Sequence, residues 1–185
     1  YVFVVQDARG RFESEGAWTP FRTEGADSYD AVEWAAALSY SDGRVALAGI
    51  SYVGAPVLLG AIEAPPHLVA VFPGITASNY HDNWAYQGGA FCLMFDRAWA
   101  SGMLVNELNR NLAAAPAIGS FPVGRAPVEL PLEDLTAVGH EGAFYREWIA
   151  HPAYDDYWKK VSIEENFPKV QVPALYVLVC SASEY

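Results

Sequence analysis

The chain of 185 residues is 52% hydrophobic and 18% charged, a balance that excludes a disordered segment and suits a packed α/β or mixed globule. Its formal net charge of −11 argues against a nucleic-acid partner, since phosphate binding needs clustered Lys and Arg. Two cysteines, Cys92 and Cys180, make no disulfide framework; without a CxxC or Cys/His cluster no metal is expected, and no apolar run approaches the ~20 residues that cross a bilayer, so no membrane partner is expected either.

The sequence opens on "YVFVVQD" (1–7) without an initiator Met. This run of Val, Phe and Tyr predicts a buried strand, and the compartment is left open. A loop rich in Gly, Ser, Pro and charge follows through about residue 26. "DSYDAVEWAAALSY" (27–40) has apolar residues at Ala31, Val32, Ala35, Ala36 and Leu38, which predicts an amphipathic helix with Asp27 or Ser28 as its N-cap. After the turn "SDGR", "RVALAGI" (44–50) predicts a second buried strand. A helix from Tyr52 to about Ala64 is expected next, with Pro56 in its early part, where a missing N–H costs least. "LVAVFPG" (68–74) predicts a third strand. Strand, helix, strand, helix, strand at this spacing is the pattern of a parallel sheet with crossover helices, and a parallel sheet is normally covered on both faces.

The pattern changes after residue 75. "NYHDNWAYQGGAF" is aromatic and Gly-rich, residues 92–115 predict a helix, and the Pro-rich stretch 116–135 an extended linker. A short helix is expected over 141–150, then a polar, aromatic return, then a fourth buried strand at "VPALYVLV" (172–179). The organisation expected from this is a core part (1–75), a helical insertion (76–165) and a return to the sheet (166–185). No GxGxxG or phosphate-binding loop follows either early strand, so no nucleotide or other cofactor is expected.

Ser51 sits between the strand 44–50 and the following helix, with glycines at Gly49 and Gly54. Two readings are open. A strand turning sharply into a helix through Gly-x-Ser raises the hydroxyl at the carboxyl end of the sheet. The amide of Tyr52 would then face a developing oxyanion at the start of a helix. Alternatively, Ser51 is an ordinary N-cap. The second glycine of the usual Gly-x-Ser-x-Gly is displaced: Val53 stands at +2 and Gly54 at +3.

Several stretches, in order, resemble the α/β-hydrolases of the X-prolyl dipeptidyl peptidase and cocaine esterase group. They are "VFVVQDARGRFESEGAWTPF", "EGADSYDAVEWAAAL", "SDGRVALAGISYVGAP", "PPHLVAVFPG", "YQGGAF", "HPAYDDYW" and "KVQVPALYV". That group carries Gly-x-Ser-Tyr-x-Gly, which accounts for the displaced glycine. The resemblance implies an α/β-hydrolase parallel sheet with crossover helices and a mostly helical cap, incomplete at both ends. It implies Ser51 as nucleophile and the Tyr52 backbone N–H as oxyanion donor. Asp7, Arg9 and Gly10 match a supporting Asp-x-Arg-Gly stretch, and Trp84 and Phe91 are expected to line a substrate pocket. The implied activity is hydrolysis of a small ester, an amide or a short peptide, X-Pro peptides included, through an acyl-enzyme.

The pattern departs from the family near its end. Where members carry the triad acid, this chain has Ala182, with Glu184 two residues on, and no histidine follows His151. His67, His81, His140 and His151 all precede the expected position of a base, and Ser, acid, His is the chain order of the fold. The 185 residues are therefore expected to be a fragment, inactive by itself. The alternative is a non-catalytic remnant or binding module that keeps the fold. Peptidase specificity would need acidic groups near the mouth of the site, for which Asp82 and Asp96 are available. Oligomeric state is open.

Overall fold

The computed structural model describes residues 1–111 and 143–177. The predicted linker 116–135, His140, Cys180, Ala182 and Glu184 lie outside the described residues, as do the end of the strand predicted over 172–179 and the last residues of the helix predicted over 92–115.

Two short apolar runs form the sheet. β1 (Val45–Ile50) and β2 (Leu68–Gly74) pair in parallel, with Ile50 opposite Gly74. A parallel pair needs a long crossover, and α2 (Gly54–Ile62) supplies it, with Pro56 in its first turn as expected. Residues 173–177 then run alongside β2: Ala174 bridges Val71 and Val177 bridges Gly74, both in parallel. Val71 N–H donates to Pro173 O at 3.0 Å and Ile75 N–H to Val177 O at 2.8 Å. The predicted late strand is thus a set of single bridges as far as it is described, with Pro173 unable to donate.

α1 (Glu24–Ala36) lies on α2. It begins three residues before the predicted cap because Glu24 folds back and its Oε2 accepts the Thr23 N–H at 3.1 Å. Asp27 instead pairs with Arg9, and the Ser28 hydroxyl donates to Pro56 O at 3.1 Å across the helix pair. Val32, Val57, Ala61, Leu68 and Val71 form the core between helices and sheet. Each such aliphatic side chain contributes about 1.5–3 kcal/mol on full burial.

Two expectations are corrected. Tyr1–Val5 are exposed and form no strand, because among the described residues no segment lies beside them to pair their backbone groups. Among the described residues the sheet is also covered unequally on its two faces: Ala70 and Phe72 of β2 are only half-buried. Along β1, Val45 and Leu47 turn towards the helices whereas Ala46, Ala48 and Ile50 are exposed.

Past Gly74 a second, aromatic core begins. A π-helical turn (His81–Ala85) leads into a hairpin of β3 (Tyr86–Gln87) and β4 (Ala90–Phe91), then α3 (Leu93–Asn111). α4 (Ala143–Ala150) and α5 (Asp156–Lys159) follow. Phe21, Tyr80, Trp84, Tyr86, Trp148 and Trp158 are among its buried rings. Their polar tips are tied to backbone: Tyr86 OH donates to Trp148 O at 2.9 Å, and Trp158 Nε1 to His151 O at 2.7 Å. The return strap is sewn to the loop after β2 by Ile163 N–H, which donates to Ser78 O at 2.9 Å.

Candidate active site

Ser51 is the first residue after β1, at the carboxyl end of the parallel sheet, and opens a 3₁₀ turn (Ser51–Val53) that runs into α2. Its φ is +59°, in the left-handed region that L-residues with a side chain avoid, and the residue is exposed. The N-cap reading fails. The cap positions are Ile50 for the 3₁₀ turn and Val53 for α2, and neither turn nor helix has a side-chain cap hydrogen bond. What forms is a sharp elbow.

The flanking glycines explain how the elbow closes. A Cβ on Gly49 would stand 2.2 Å from Val53 O, so the turn admits no side chain there. A Cβ on Gly54 would stand 2.9 Å from Thr76 Cβ, on the segment leaving β2. Val53, by contrast, is 59% exposed and meets no such limit. The displaced glycine follows from this packing: it is residue +3, not +2, that faces the neighbouring chain. Strain gathers here as well. Ile75, one residue past Gly74, has φ +47°, and Phe21, packed beside Tyr52, has φ +67°. Clusters of this kind are typical of functional sites held by their surroundings.

Tyr52 follows, and as the second residue of the turn its N–H lacks an intrahelical acceptor. Its ring packs between Phe21, Trp18 and Trp99, at centroid distances of 5.3, 5.8 and 5.4 Å. Its hydroxyl donates to Glu24 Oε1 and accepts from Trp18 Nε1 at 2.9 Å. Burial pushes the Glu24 carboxyl up, against the pull of the Tyr52 hydroxyl and nearby backbone N–H groups. Burial and the adjacent Glu24 charge raise the Tyr52 hydroxyl far above the ordinary tyrosine range, so it stays protonated and donates.

Arg9 and Gly10 hold the approach to this point: Arg9 pairs with Asp27 on α1, and Gly10 N–H donates to Glu15 O at 2.8 Å. The Asp7 carbonyl accepts the Ser14 hydroxyl at 3.0 Å. Trp84 is buried against Phe21 (5.5 Å) and Trp99 (5.6 Å), the same two rings that touch Tyr52. Phe91 lies further along the hairpin, with ring neighbours Tyr86 and Tyr145. The structure therefore places Trp84 one ring from Tyr52, whereas Phe91 shares neither of those two rings. Sequence reasoning missed Trp18, Trp99 and Glu24. The signal for Trp99 was available: Asp96, Trp99, Ala100 and Met103 repeat at helical spacing on the inward face of α3.

Asp82 and Asp96 differ sharply. Asp82 is exposed and bound to His81 Nδ1 at 2.6 Å. Asp96 is fully buried, neither carboxylate oxygen has a hydrogen-bond partner among the described residues, and burial lifts its carboxyl to about 8. The described histidines are all engaged elsewhere: His67 Nδ1 with Glu33 at 2.7 Å, His151 Nδ1 with Asp155 at 2.7 Å, and His81 Nε2 with Pro152 O at 2.9 Å. Those hydrogen bonds hold the Glu33 and Asp155 carboxyls below the usual carboxylate range. No group of three or more His, Cys, Asp or Glu among the described residues is arranged to hold a metal.

The family described as X-Pro dipeptidyl-peptidase (S15 family) matches residues 1–178. The chain belongs to the S15 family. The S15 chain is also similar to a cocaine esterase of Rhodococcus sp. (strain MB1 Bresler), 27% identical over 187 residues, covering 95% of this chain and 32% of that protein. Among solved structures it is similar to an aminopeptidase from a marine sediment archaeon, Thaumarchaeota archaeon (TM-score 0.72, 22% identity, 93% of this chain and 31% of that one). A CocE/NonD family hydrolase from Staphylococcus aureus gives a TM-score of 0.65 at 26% identity, over 89% of this chain and 24% of that one. The S15 chain thus spans about a third or less of the length of these relatives. It has an α/β-hydrolase-type fold and belongs to a family of serine hydrolases.

Proposed function

We propose that Ser51 is the nucleophile of an acyl-transfer site. Its oxygen gives its proton to a base and attacks the carbonyl of a small ester, an amide or a short peptide, and the tetrahedral oxyanion accepts from the Tyr52 N–H. Collapse of that oxyanion breaks the C–O or C–N bond, so that the alcohol or amine leaves with that proton and the acyl group stays on Ser51. The observation that carries this reading is the φ of +59° at Ser51 between a parallel strand and a helix. Such strain is retained where it holds a hydroxyl clear of the sheet edge. We read residues 76–165 as the cap over this site, with Trp84 on its acyl side. Phe91, which packs on Tyr86 and Tyr145, shapes the cap from behind.

Serine needs a base, and among the described residues no histidine hydrogen-bonds to Ser51: His67, His81 and His151 bond to Glu33, Asp82 and Asp155. Without a base at Ser51, the described residues by themselves are expected to acylate slowly at best. The test is labelling of the intact protein by a fluorophosphonate. Modification of Ser51, lost in Ser51→Ala, is the expected result; a folded protein that labels elsewhere or not at all would favour the non-catalytic module.

A further inference from the structure

The Glu24 carboxylate does more than meet the start of α1. It is 4% exposed, at the first position of α1, in a layer otherwise built of rings. Burying a carboxylate is costly, and a helix start can be capped from the surface without it. Its two oxygens divide the work. Oε2 accepts the Thr23 N–H at 3.1 Å and so anchors the side chain to the helix N-terminus, and Oε1 accepts the Tyr52 hydroxyl. Tyr52 is thereby held at its tip by a charge-assisted hydrogen bond, which is stronger than a neutral one. Trp18 completes the grip: its Nε1 donates to the same hydroxyl at 2.9 Å, while the Arg11 guanidinium lies 4.6 Å over the Trp18 ring.

This grip acts on the residue whose own backbone forms the elbow. Ser51 is strained, and a strained backbone relaxes unless its neighbours over-determine it. Gly49 and Gly54 fix the two ends of the turn by close contact. The middle, the Ser51–Tyr52 peptide, is held at its carbonyl by the Gly54 N–H, which donates to Ser51 O, and from the other side by the Tyr52 side chain. Resting on the reading of Ser51 as nucleophile, we propose that Glu24 is a positioning residue. Through the Tyr52 hydroxyl it locks the elbow peptide, so that the Ser51 oxygen and the Tyr52 N–H keep their reactive geometry.

The test uses the intact protein with three variants, Glu24→Leu, Glu24→Gln and Tyr52→Phe, and a chromogenic ester. Misplacing a reacting group by about 1 Å can cost ~10²-fold, so Glu24→Leu and Tyr52→Phe should each lower kcat by about that factor with KM held within about twofold. The double variant should lose no more than the worse single one, because both remove one link. Glu24→Gln, whose carbonyl still accepts an O–H, should keep kcat within about fivefold of the parent. Losses that multiply, or that fall on KM, overturn the proposal. A second readout is independent of turnover: crystal structures of Glu24→Gln and Tyr52→Phe. A Tyr52→Phe elbow with Ser51 relaxed out of positive φ supports the lock, and one that superimposes on the parent overturns it even if Glu24→Leu fails to fold. A parent that never labels at Ser51 sinks the hydrolase reading instead, and the crystallographic arm still decides the lock.

Discussion

Val53 and Gly54 are neighbours with opposite tolerance. Gly54→Ala places a methyl 2.9 Å from Thr76 Cβ and 3.2 Å from Gly49 O, so one of two chains must move. Overpacking of this kind costs about 1–3 kcal/mol, and urea denaturation should show it. Val53→Ala, at an exposed position, should stay within about 0.5 kcal/mol of the parent. Equal midpoints for the two variants would mean that the displaced glycine has no packing role. Asp96 offers a different residue-scale test. Burial lifts its carboxyl from an ordinary value near 3.8 to about 8 in the folded chain, so the folded state holds a proton that the unfolded state releases. Its contribution to stability is full below pH ~4 and is lost as pH rises towards ~8, at a slope of at most about 1.4 kcal/mol per unit. Burial first, and the Asp96 carboxylate second, push the Tyr86 hydroxyl and the Cys92 thiol up. In Asp96→Asn that slope should vanish between pH 5 and 8; parallel stability curves for parent and variant would refute the assignment.

At the scale of elements, legibility followed the nature of the signal. β1, α2 and β2 were readable because each is a continuous apolar run closed by Gly or Pro, and local sequence decides such runs. The elbow was readable from Gly49, Ser51 and Tyr52, but the choice between nucleophile and cap was not, since it depends on a single φ. α1 begins early because Glu24 turns inwards, and no periodicity reports where a carboxylate will point. The strand predicted over 1–7 failed for the converse reason: its residues suit a strand, but a strand exists only beside a partner. The aromatic core was half legible. Abundant Trp and Tyr announced it, but which rings meet is settled by α3 and α4 packing at long range. Trp148 shows the consequence. It is 1% exposed and packs on Trp99 at 5.7 Å, Phe144 at 5.3 Å and Phe21 at 6.2 Å, so it joins α4 to Phe21 and Trp99, two rings that touch Tyr52. Trp148→Ala should cost about 3–5 kcal/mol. The loss of its fluorescence should be accompanied by an altered signal from Trp99, read by near-ultraviolet circular dichroism; an unchanged aromatic spectrum would show that α4 is not coupled to the site.

The whole molecule carries an imbalance that sets its behaviour in solution. Its helices α1 and α2 cover one side of the sheet, and the other side of β1 shows Ala46, Ala48 and Ile50 to solvent. Leu175, Tyr176 and Val177, beside β2, and Tyr1–Val5 are exposed too. Exposed apolar surface of this kind drives association, and a strand edge unpaired among the described residues gives it direction. Opposing it is a net charge of −11, whose self-repulsion keeps copies apart at low ionic strength. Which effect wins depends on salt, because the Debye length shrinks from about 30 Å at 0.01 M to about 3 Å at 1 M whereas apolar contact persists. The 185-residue chain expressed by itself should therefore scatter light weakly in dilute buffer and associate as salt is raised, with 8-anilinonaphthalene-1-sulfonate fluorescence already high beforehand. Leu175 is 66% exposed in the strand segment next to β2, so Leu175→Lys removes apolar area where a second sheet would seat. That variant should move the onset of association to higher salt, although it lowers the repulsive net charge by one. If charge alone governed association, the onset would move the other way, and the sign of the shift separates the two forces.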